Sequence, residues 1–311
     1  MTVNVLFAAQ PNRWAEYQTP LTDALAQAGV QANLSTDHAP GDVDYVVYAP
    51  NGPLSDFTPY TRCKAVLGLW AGVEDIVIND TLTQPLCRMV DTGLERGMVE
   101  WVTGHALRHH LSIDQHIHGQ DGIWRPGHVP PLAADRPVTV LGLGALGRAC
   151  CLALTSLGFP VTGWSRTQKS IPGIRCLAGD AGLRAALSGA EILILLLPLT
   201  AATENVMNAD RFGLLARGAT LLNPGRGALI VDNDLIAALD NGQLDNATLD
   251  VFRVEPLPAD HPFWDHPKVT VTPHIASETR PGTASRVIAE NIMRAEAGMP
   301  LLHVVDRAQG Y

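Results

Sequence analysis

Three side chains in the second half of the sequence have the types that reduction of a carbonyl group requires. Arg226 sits in Asn223-Pro-Gly-Arg-Gly, Glu255 in Leu249-Asp-Val-Phe-Arg-Val-Glu-Pro, and His274 in Val271-Thr-Pro-His-Ile-Ala. Each follows a run that reads as a β-strand, in turn-like or apolar surroundings. A hydride delivered to a carbonyl carbon leaves negative charge on the oxygen, which calls for a fixed cation and a proton donor. Arg226 suits the first role and His274 the second. A carboxylate at Glu255 would accept a hydrogen bond from the imidazole, orient it and favour its protonated form. Taken singly, each residue has a plain structural explanation: a helix-capping or surface arginine, a solvated loop acid, a hydrogen-bonded structural histidine. The case for chemistry therefore rests on the elements that carry them.

From Val138 onward, apolar runs recur at Val138–Leu141, Val161–Trp164, Ile192–Leu197, Ala219–Leu222, Ala247–Leu249 and Val269–Val271. Six buried strands in this order fit a doubly wound dinucleotide-binding sheet. The carboxyl ends of such strands open onto the ligand crevice, so the three residues can converge there. The first run leads into Gly142-Leu-Gly144-Ala-Leu-Gly147 and the helical run Arg148–Leu157. Gly142 permits the tight turn, Gly144 lets backbone N–H groups approach a pyrophosphate, and Gly147 lets helix and strand pack closely, with the helix N-terminus adding partial positive charge. A bare glycine pattern also arises wherever a turn needs glycine, and it is the strand–turn–helix–strand order that favours a dinucleotide.

The end of the next strand selects which dinucleotide. NAD-specific sites place an acid about 20 residues beyond the glycines to bind the ribose hydroxyls. Here the sequence reads Gly163-Trp164-Ser165-Arg166-Thr167-Gln168-Lys169, without that acid. A ribose 2′-phosphate could be held by Arg166, the Ser165 and Thr167 hydroxyls and Lys169, so the expected cofactor is NADP, with NADPH preferred over NADH. The plain alternative is a polar, solvated loop.

A chain of 311 residues is about twice the usual single-domain size, so two domains are expected. Short strands at Val3–Phe7, Val43–Tyr48 and Ala65–Leu69, with a helix near Trp14–Ala28, imply a second parallel sheet covered by helices. A long helical stretch from Glu95 to about His118 and a loop containing Pro126, Gly127, Pro130, Pro131 and Pro137 read as the crossing between domains. A last helical pattern, Thr283–Ala297, can return the chain to the first domain and leave it discontinuous. The hydrophobic fraction of 46% and charged fraction of 17% argue for a folded chain. A net charge of -9 disfavours a nucleic-acid or anionic-membrane surface. The longest purely apolar stretch, Ile192–Leu197, is far short of the roughly 20 residues that cross a bilayer. With no basic N-terminal leader, a cytoplasmic location is expected. Cys63, Cys87, Cys150, Cys151 and Cys176 show no C-x-x-C spacing and read as buried thiols.

Several segments together resemble the D-isomer-specific 2-hydroxyacid dehydrogenase family over nearly the whole length. They are Leu69-Trp-Ala-Gly-Val-Glu, the glycine turn, Leu197-Pro-Leu-Thr-Ala-Ala-Thr203, Asn223-Pro-Gly-Arg-Gly227, Leu249-Asp-Val-Phe-Arg-Val-Glu-Pro256 and Thr272-Pro-His-Ile-Ala276. Trp164-Ser-Arg-Thr-Gln-Lys-Ser-Ile-Pro-Gly173, Glu255-Pro-Leu-Pro, Phe263-Trp-Asp-His-Pro and Asp306-Arg-Ala-Gln-Gly-Tyr311 are similar to its glyoxylate/hydroxypyruvate reductase branch. The resemblance implies an α/β fold of two doubly wound parallel-sheet domains. A Rossmann-type cofactor domain would span 98–285, and a smaller, discontinuous, flavodoxin-like substrate domain would comprise 1–97 and 286–311. It implies Arg226 as substrate clamp, His274 as general acid and Glu255 as its partner, with backbone N–H groups around Ala71, Gly72 and Val73 binding a substrate carboxylate. It also implies that Asp250 meets the nicotinamide carboxamide and that Leu197, Pro198 and Thr203 line the nucleotide. Ala145, Leu146, Asn223, Pro224, Gly225 and Ala276 complete the cofactor contacts. In this sequence Ser165 stands where NAD-using relatives carry an acid, and Pro224 removes an N–H beside Arg226.

The resulting expectation is an NADPH-dependent reductase of small 2-oxoacids, taking glyoxylate to glycolate and hydroxypyruvate to D-glycerate, with domain closure excluding water. A bulkier 2-oxoacid substrate and a nicotinamide-sensing binding module are the alternatives. His105, His109 and His116 are spaced by four and seven residues and are expected on one face of the long helix. No metal site is expected from spacing alone; the stripe reads as a polar face in a homodimer built through the interdomain helix.

Overall fold

The computed structural model describes residues 2–124 and 129–310, so Pro126 and Gly127 of the expected crossing and Tyr311 of the closing segment lie outside the described residues. The chain divides into two compact units, Met1–Leu94 with Glu278–Tyr311 and Glu95–Ser277.

The first unit opens with β1 (Val3–Ala8), α1 (Trp14–Gln27), β2 (Ala32–Ser35), β3 (Tyr45–Tyr48), β4 (Ala65–Gly68), α2 (Glu74–Val77) and β5 (Leu86–Cys87). Its strands pair in parallel in the order β2-β1-β3-β4-β5, the flavodoxin-like arrangement. β3 and β4 are buried along their whole length, as strands covered on both faces must be. β2 has no buried residue and β5 has only two residues, which is why neither shows as an apolar run in the sequence.

α3 (Thr92–His110) carries the chain into the second unit. The long helix expected to reach His118 stops at His110: Ser112 adopts φ 52, outside the right-handed helical region, and a separate short helix, α4 (Ile113–His118), follows. Seven parallel strands come next: β6 (Val138–Leu141), β7 (Val161–Ser165), β8 (Arg175–Ala178), β9 (Ile192–Leu195), β10 (Ala219–Asn223), β11 (Leu244–Leu249) and β12 (Val269–Val271). Their order, β12-β11-β10-β9-β6-β7-β8, contains the 3-2-1-4-5-6 succession of a Rossmann sheet. The connecting helices are α5 (Ala145–Ser156), α6 (Gly179–Leu187), α7 (Ala209–Phe212) and α8 (Asp232–Asp240). β8 was absent from the sequence expectation because it is a half-exposed edge strand that begins with an exposed arginine.

α9 (Pro281–Glu296) then returns the chain to the first unit, starting on a proline whose fixed φ suits the first helical turn. The observed divisions at 94/95 and 277/278 differ from the expected 97/98 and 285/286: the first falls three residues earlier in α3, and the second falls before α9 rather than within it. Met98, Val102 and Ala106 of α3 pack with Val138, Val140 and Leu154 in the second unit's core. α9, with Ala284, Ile288 and Ile292 buried, stays whole in the first unit.

Candidate active site

His274 occupies the loop after β12 with φ 56, a left-handed conformation that disfavours any residue with a β-carbon. The fully buried Asp250, the residue after β11, holds it there. Its Oδ1 accepts from the Thr272 hydroxyl at 2.6 Å and from the Ile275 N–H at 2.9 Å, and its Oδ2 from the Ala276 N–H at 2.8 Å. The His274 N–H donates to the Asp250 carbonyl at 2.8 Å. One carboxylate thus gathers the five-residue loop, and charge-assisted bonds of this kind are the strong ones.

The His274 Nδ1 lies 2.6 Å from Glu255 Oε2, while Glu255 Oε1 accepts from the Phe252 N–H at 2.8 Å. With Nδ1 committed to the carboxylate, Nε2 is the ring atom left for proton transfer. The Glu255 hydrogen bond raises the His274 pKa against the lowering effect of burial, and the Glu255 and Asp250 charges add to the rise while Arg226 opposes it. For Glu255, burial acts upward, but the His274 and Phe252 hydrogen bonds and the His274 and Arg226 charges hold the carboxyl below its ordinary range. Over the interval between these two pKa values the pair is an ion pair.

The charge of Arg226 bears on both partners, lowering the pKa of each, and all three sequence-selected residues lie on loops of the second unit. The Arg226 Nη1 donates to the Gly225 carbonyl at 2.6 Å. The turn that carries it is closed by the buried Asn223, whose Nδ2 donates to the Arg226 carbonyl at 3.0 Å and whose Oδ1 accepts from the Gly225 N–H at 3.2 Å. Asn223 and Asp250, both expected at the cofactor, thus have their side-chain polar atoms on the loops that present Arg226 and His274. Thr272 was quoted in the sequence only as part of a motif; its position two residues before the histidine was the one available hint of its bond to Asp250.

The glycine turn has the sterics its spacing implies. Gly142 has φ 109, and a β-carbon there would lie 2.3 Å from the Leu196 carbonyl oxygen. A β-carbon at Gly147 would lie 1.8 Å from the Gly142 carbonyl oxygen, whereas one at Gly144 would meet nothing within 4 Å. The crowded positions shape the turn and the open one leaves room above it. Ala145 and Leu146 begin α5, where the first N–H groups have no partner inside the helix. These residues fit a dinucleotide pyrophosphate. At the end of β7 the Ser165 hydroxyl donates to the Thr167 carbonyl at 2.8 Å, and Arg166, Thr167 and Lys169 are exposed. After β9, Leu197 is buried and the Thr203 hydroxyl donates to the Pro198 carbonyl at 2.6 Å. Ala276 is buried at the foot of the histidine loop.

Ala71, Gly72 and Val73 belong to the first unit, in the turn between β4 and α2. Ala71 and Gly72 are half-buried, and the Val73 carbonyl accepts from the Ile76 and Val77 N–H groups at 3.1 and 3.0 Å.

The histidine stripe is corrected on two counts. His116 lies on α4, beyond the break at Ser112, and does not share a helix with the other two. His109 is turned inward: it is 8% exposed, its Nε2 is 2.8 Å from the Thr248 hydroxyl on β11, and burial pushes its pKa down to about 4. A buried, neutral imidazole bonded within its own unit offers no polar face to a partner. His105 stacks on Trp101 with ring centroids 4.4 Å apart. Cys63, Cys87, Cys150 and Cys151 are buried and Cys176 partly so, with burial raising the first two thiols to about 11.

A family model for the D-isomer specific 2-hydroxyacid dehydrogenase NAD binding domain matches residues 102–276. Glyoxylate/hydroxypyruvate reductase A of Serratia proteamaculans is 40% identical over 318 aligned residues, covering 99% of this chain and all of the relative. Among solved structures, a D-isomer specific 2-hydroxyacid dehydrogenase from Xanthobacter autotrophicus Py2, in complex with NADPH and MES, superposes with a TM-score of 0.93 at 38% identity over the full length of both chains. An NADPH-dependent glyoxylate/hydroxypyruvate reductase from Sinorhizobium meliloti, in complex with NADP and sulfate, gives a TM-score of 0.84 at 34% identity, covering 100% of this chain and 99% of that one.

Proposed function

The chain belongs to the D-isomer specific 2-hydroxyacid dehydrogenase family, and from that premise we propose that it is an NADPH-dependent reductase of small 2-oxoacids, converting glyoxylate to glycolate and hydroxypyruvate to D-glycerate. The observation that carries this reading is the 2.6 Å bond between His274 Nδ1 and Glu255 Oε2, which orients the imidazole and favours its protonated form. The reduced nicotinamide supplies the hydride when bound. Arg226 holds the substrate and offsets charge growing on its carbonyl oxygen, and the His274 Nε2 proton passes to that oxygen. Glu255 keeps the ring oriented and charged before the transfer and stabilises it until it regains a proton. Backbone N–H groups of Ala71, Gly72 and Val73 take the carboxylate.

Gly142, Gly144, Ala145, Leu146 and Gly147 hold the pyrophosphate, and Ser165, Arg166, Thr167 and Lys169 take the ribose 2′-phosphate that an acid at Ser165 would repel. Leu197, Pro198 and Thr203 line the nucleotide, Asp250 meets the nicotinamide carboxamide, and Asn223, Pro224, Gly225 and Ala276 complete the cofactor contacts. The protein acts in the cytoplasm as a homodimer formed through α3 and the segment after it, where Leu111 and Ile117 are exposed. No helix among the described residues is long and apolar enough to cross a membrane.

Initial rates on glyoxylate and hydroxypyruvate, with NADPH and NADH in parallel, test reaction, substrate and cofactor together. The expected result is turnover of both substrates with NADPH favoured. Tight NADPH binding without turnover of either would overturn it.

A further inference from the structure

The end of the chain, noted so far only for its resemblance, returns to the turn that the proposed function assigns to the substrate carboxylate. The Arg88 N–H donates to the His303 carbonyl at 3.1 Å and the Val305 N–H to the Leu86 carbonyl at 2.8 Å, which pairs this segment with β5. Val305 is buried in the same apolar cluster as Val73, Ile76 and Leu82. Two residues on, Arg307 lays its guanidinium over the loop that follows α2. Its Nη2 donates to the Asn79 carbonyl at 2.8 Å and the Val77 carbonyl at 3.1 Å, its Nε to Val77 at 3.3 Å, and its Nη1 to the Leu82 carbonyl. Carbonyls at the end of a helix lack intrahelical donors, and a planar fork of N–H groups is suited to serve several of them at once. Asp306 fixes the approach, accepting from the Ala308 N–H at 3.0 Å and from Gln309 Nε2 at 2.6 Å.

The path from this clamp to the turn is short. Arg307 holds the Val77 carbonyl, and the Val77 N–H donates to the Val73 carbonyl at 3.0 Å. We propose that Arg307 is a positioning residue for the Ala71-Gly72-Val73 turn: by clamping the 77–82 loop it fixes α2 and with it the direction of the N–H groups that receive the carboxylate. The inference rests on the reading that this turn binds the substrate. A residue acting in this way sets substrate affinity and leaves hydride delivery and cofactor binding alone.

The test compares wild type, Arg307→Met, Arg307→Lys and Gly72→Pro by steady-state kinetics on glyoxylate and by fluorescence titration with NADPH. Arg307→Met is expected to raise KM about tenfold, with kcat within about twofold and NADPH affinity unchanged. Arg307→Lys, whose single ammonium cannot span three carbonyls, is expected to fall between the two and keeps the test open if the methionine variant does not fold. Gly72→Pro removes an N–H from the turn and is expected to raise KM as well. A raised KM in Gly72→Pro with wild-type KM in both Arg307 variants overturns the role of Arg307 alone. An unchanged KM in Gly72→Pro overturns the turn reading and this inference with it. Equal losses of kcat and NADPH affinity in the Arg307 variants mark a general folding role and also overturn it.

Discussion

The glycine turn at 142–147 and the histidine loop at 272–276 leave strands of the same sheet and are shaped by opposite means. In the first, form comes from missing side chains: a β-carbon at Gly147 would sit 1.8 Å from a carbonyl oxygen, so glycine alone permits the close approach. In the second, form comes from one buried side chain distant in sequence, since Asp250 gathers a hydroxyl and two N–H groups from residues 22 to 26 positions away. The first kind of loop is written where it folds. The second is written partly elsewhere, and its key residue has a strained backbone that nothing local announces.

The largest effect expected from breaking this contrast lies at the histidine. His274→Ala should lower kcat by about 10²- to 10⁴-fold, the usual span for a general acid, with NADPH affinity retained in a fluorescence titration. Wild-type turnover in this variant would remove the acid assignment.

The strand that leads into Asp250 gives the next effect. His109 packs behind β11 with a folded-state pKa of about 4 against 6.5 for the free side chain, owing to burial first and to Arg108 second. The unfolded chain binds the proton more readily, so stability is full above pH 6.5 and is lost as pH falls from 6.5 towards 4. The loss attributable to this imidazole is about 3 kcal/mol at most, read from urea midpoints at pH 7 and pH 4. In His109→Gln that portion of the acid sensitivity should be absent.

Gly147→Ala should weaken NADPH binding about 100-fold by forcing helix and strand apart, whereas Gly144→Ala should leave the melting temperature unchanged, because its β-carbon enters open space. Equal melting losses in the two would erase the distinction between the crowded and the open position. Asp250→Asn sharpens the other half of the comparison. It replaces one acceptor with a donor among buried donors, and about 2 kcal/mol of stability should go, together with kcat, as the histidine loop loosens.

The smallest effect is the pH profile. The raised pKa of His274 means that the imidazolium, and with it the stability of the ion pair that exists above the Glu255 pKa, is lost as pH rises through the His274 pKa. The reductive kcat/KM should fall about tenfold per pH unit on that alkaline limb, and Glu255→Gln should move the limb to lower pH.

The same contrast explains what the sequence disclosed. β6, β9 and β10 were legible because strands buried on both faces must be continuously apolar. β2, β5 and β8 were not, being half-exposed or two residues long. Arg226, Glu255 and His274 stood out through their types and their places after strands. The bonds of Asp250 and the clamp of Arg307 join residues far apart in sequence, which no local pattern encodes. His116 was assigned to the wrong helix because the backbone reversal at Ser112 involves neither glycine nor proline.

The first unit is assembled from two separate stretches of the chain, with residues 95–277 inserted between them. During synthesis, the apolar side of α1, with Tyr17, Leu21 and Leu25, emerges before the inserted unit, while α9 is translated only after it. Domains generally fold as units during synthesis, so the first unit must wait with greasy surface uncovered until its second stretch, from Glu278 onward, has been added. A chain cut short before Pro281 would therefore lack α9 and leave the apolar side of the first unit incomplete, with residues 95–277 still whole.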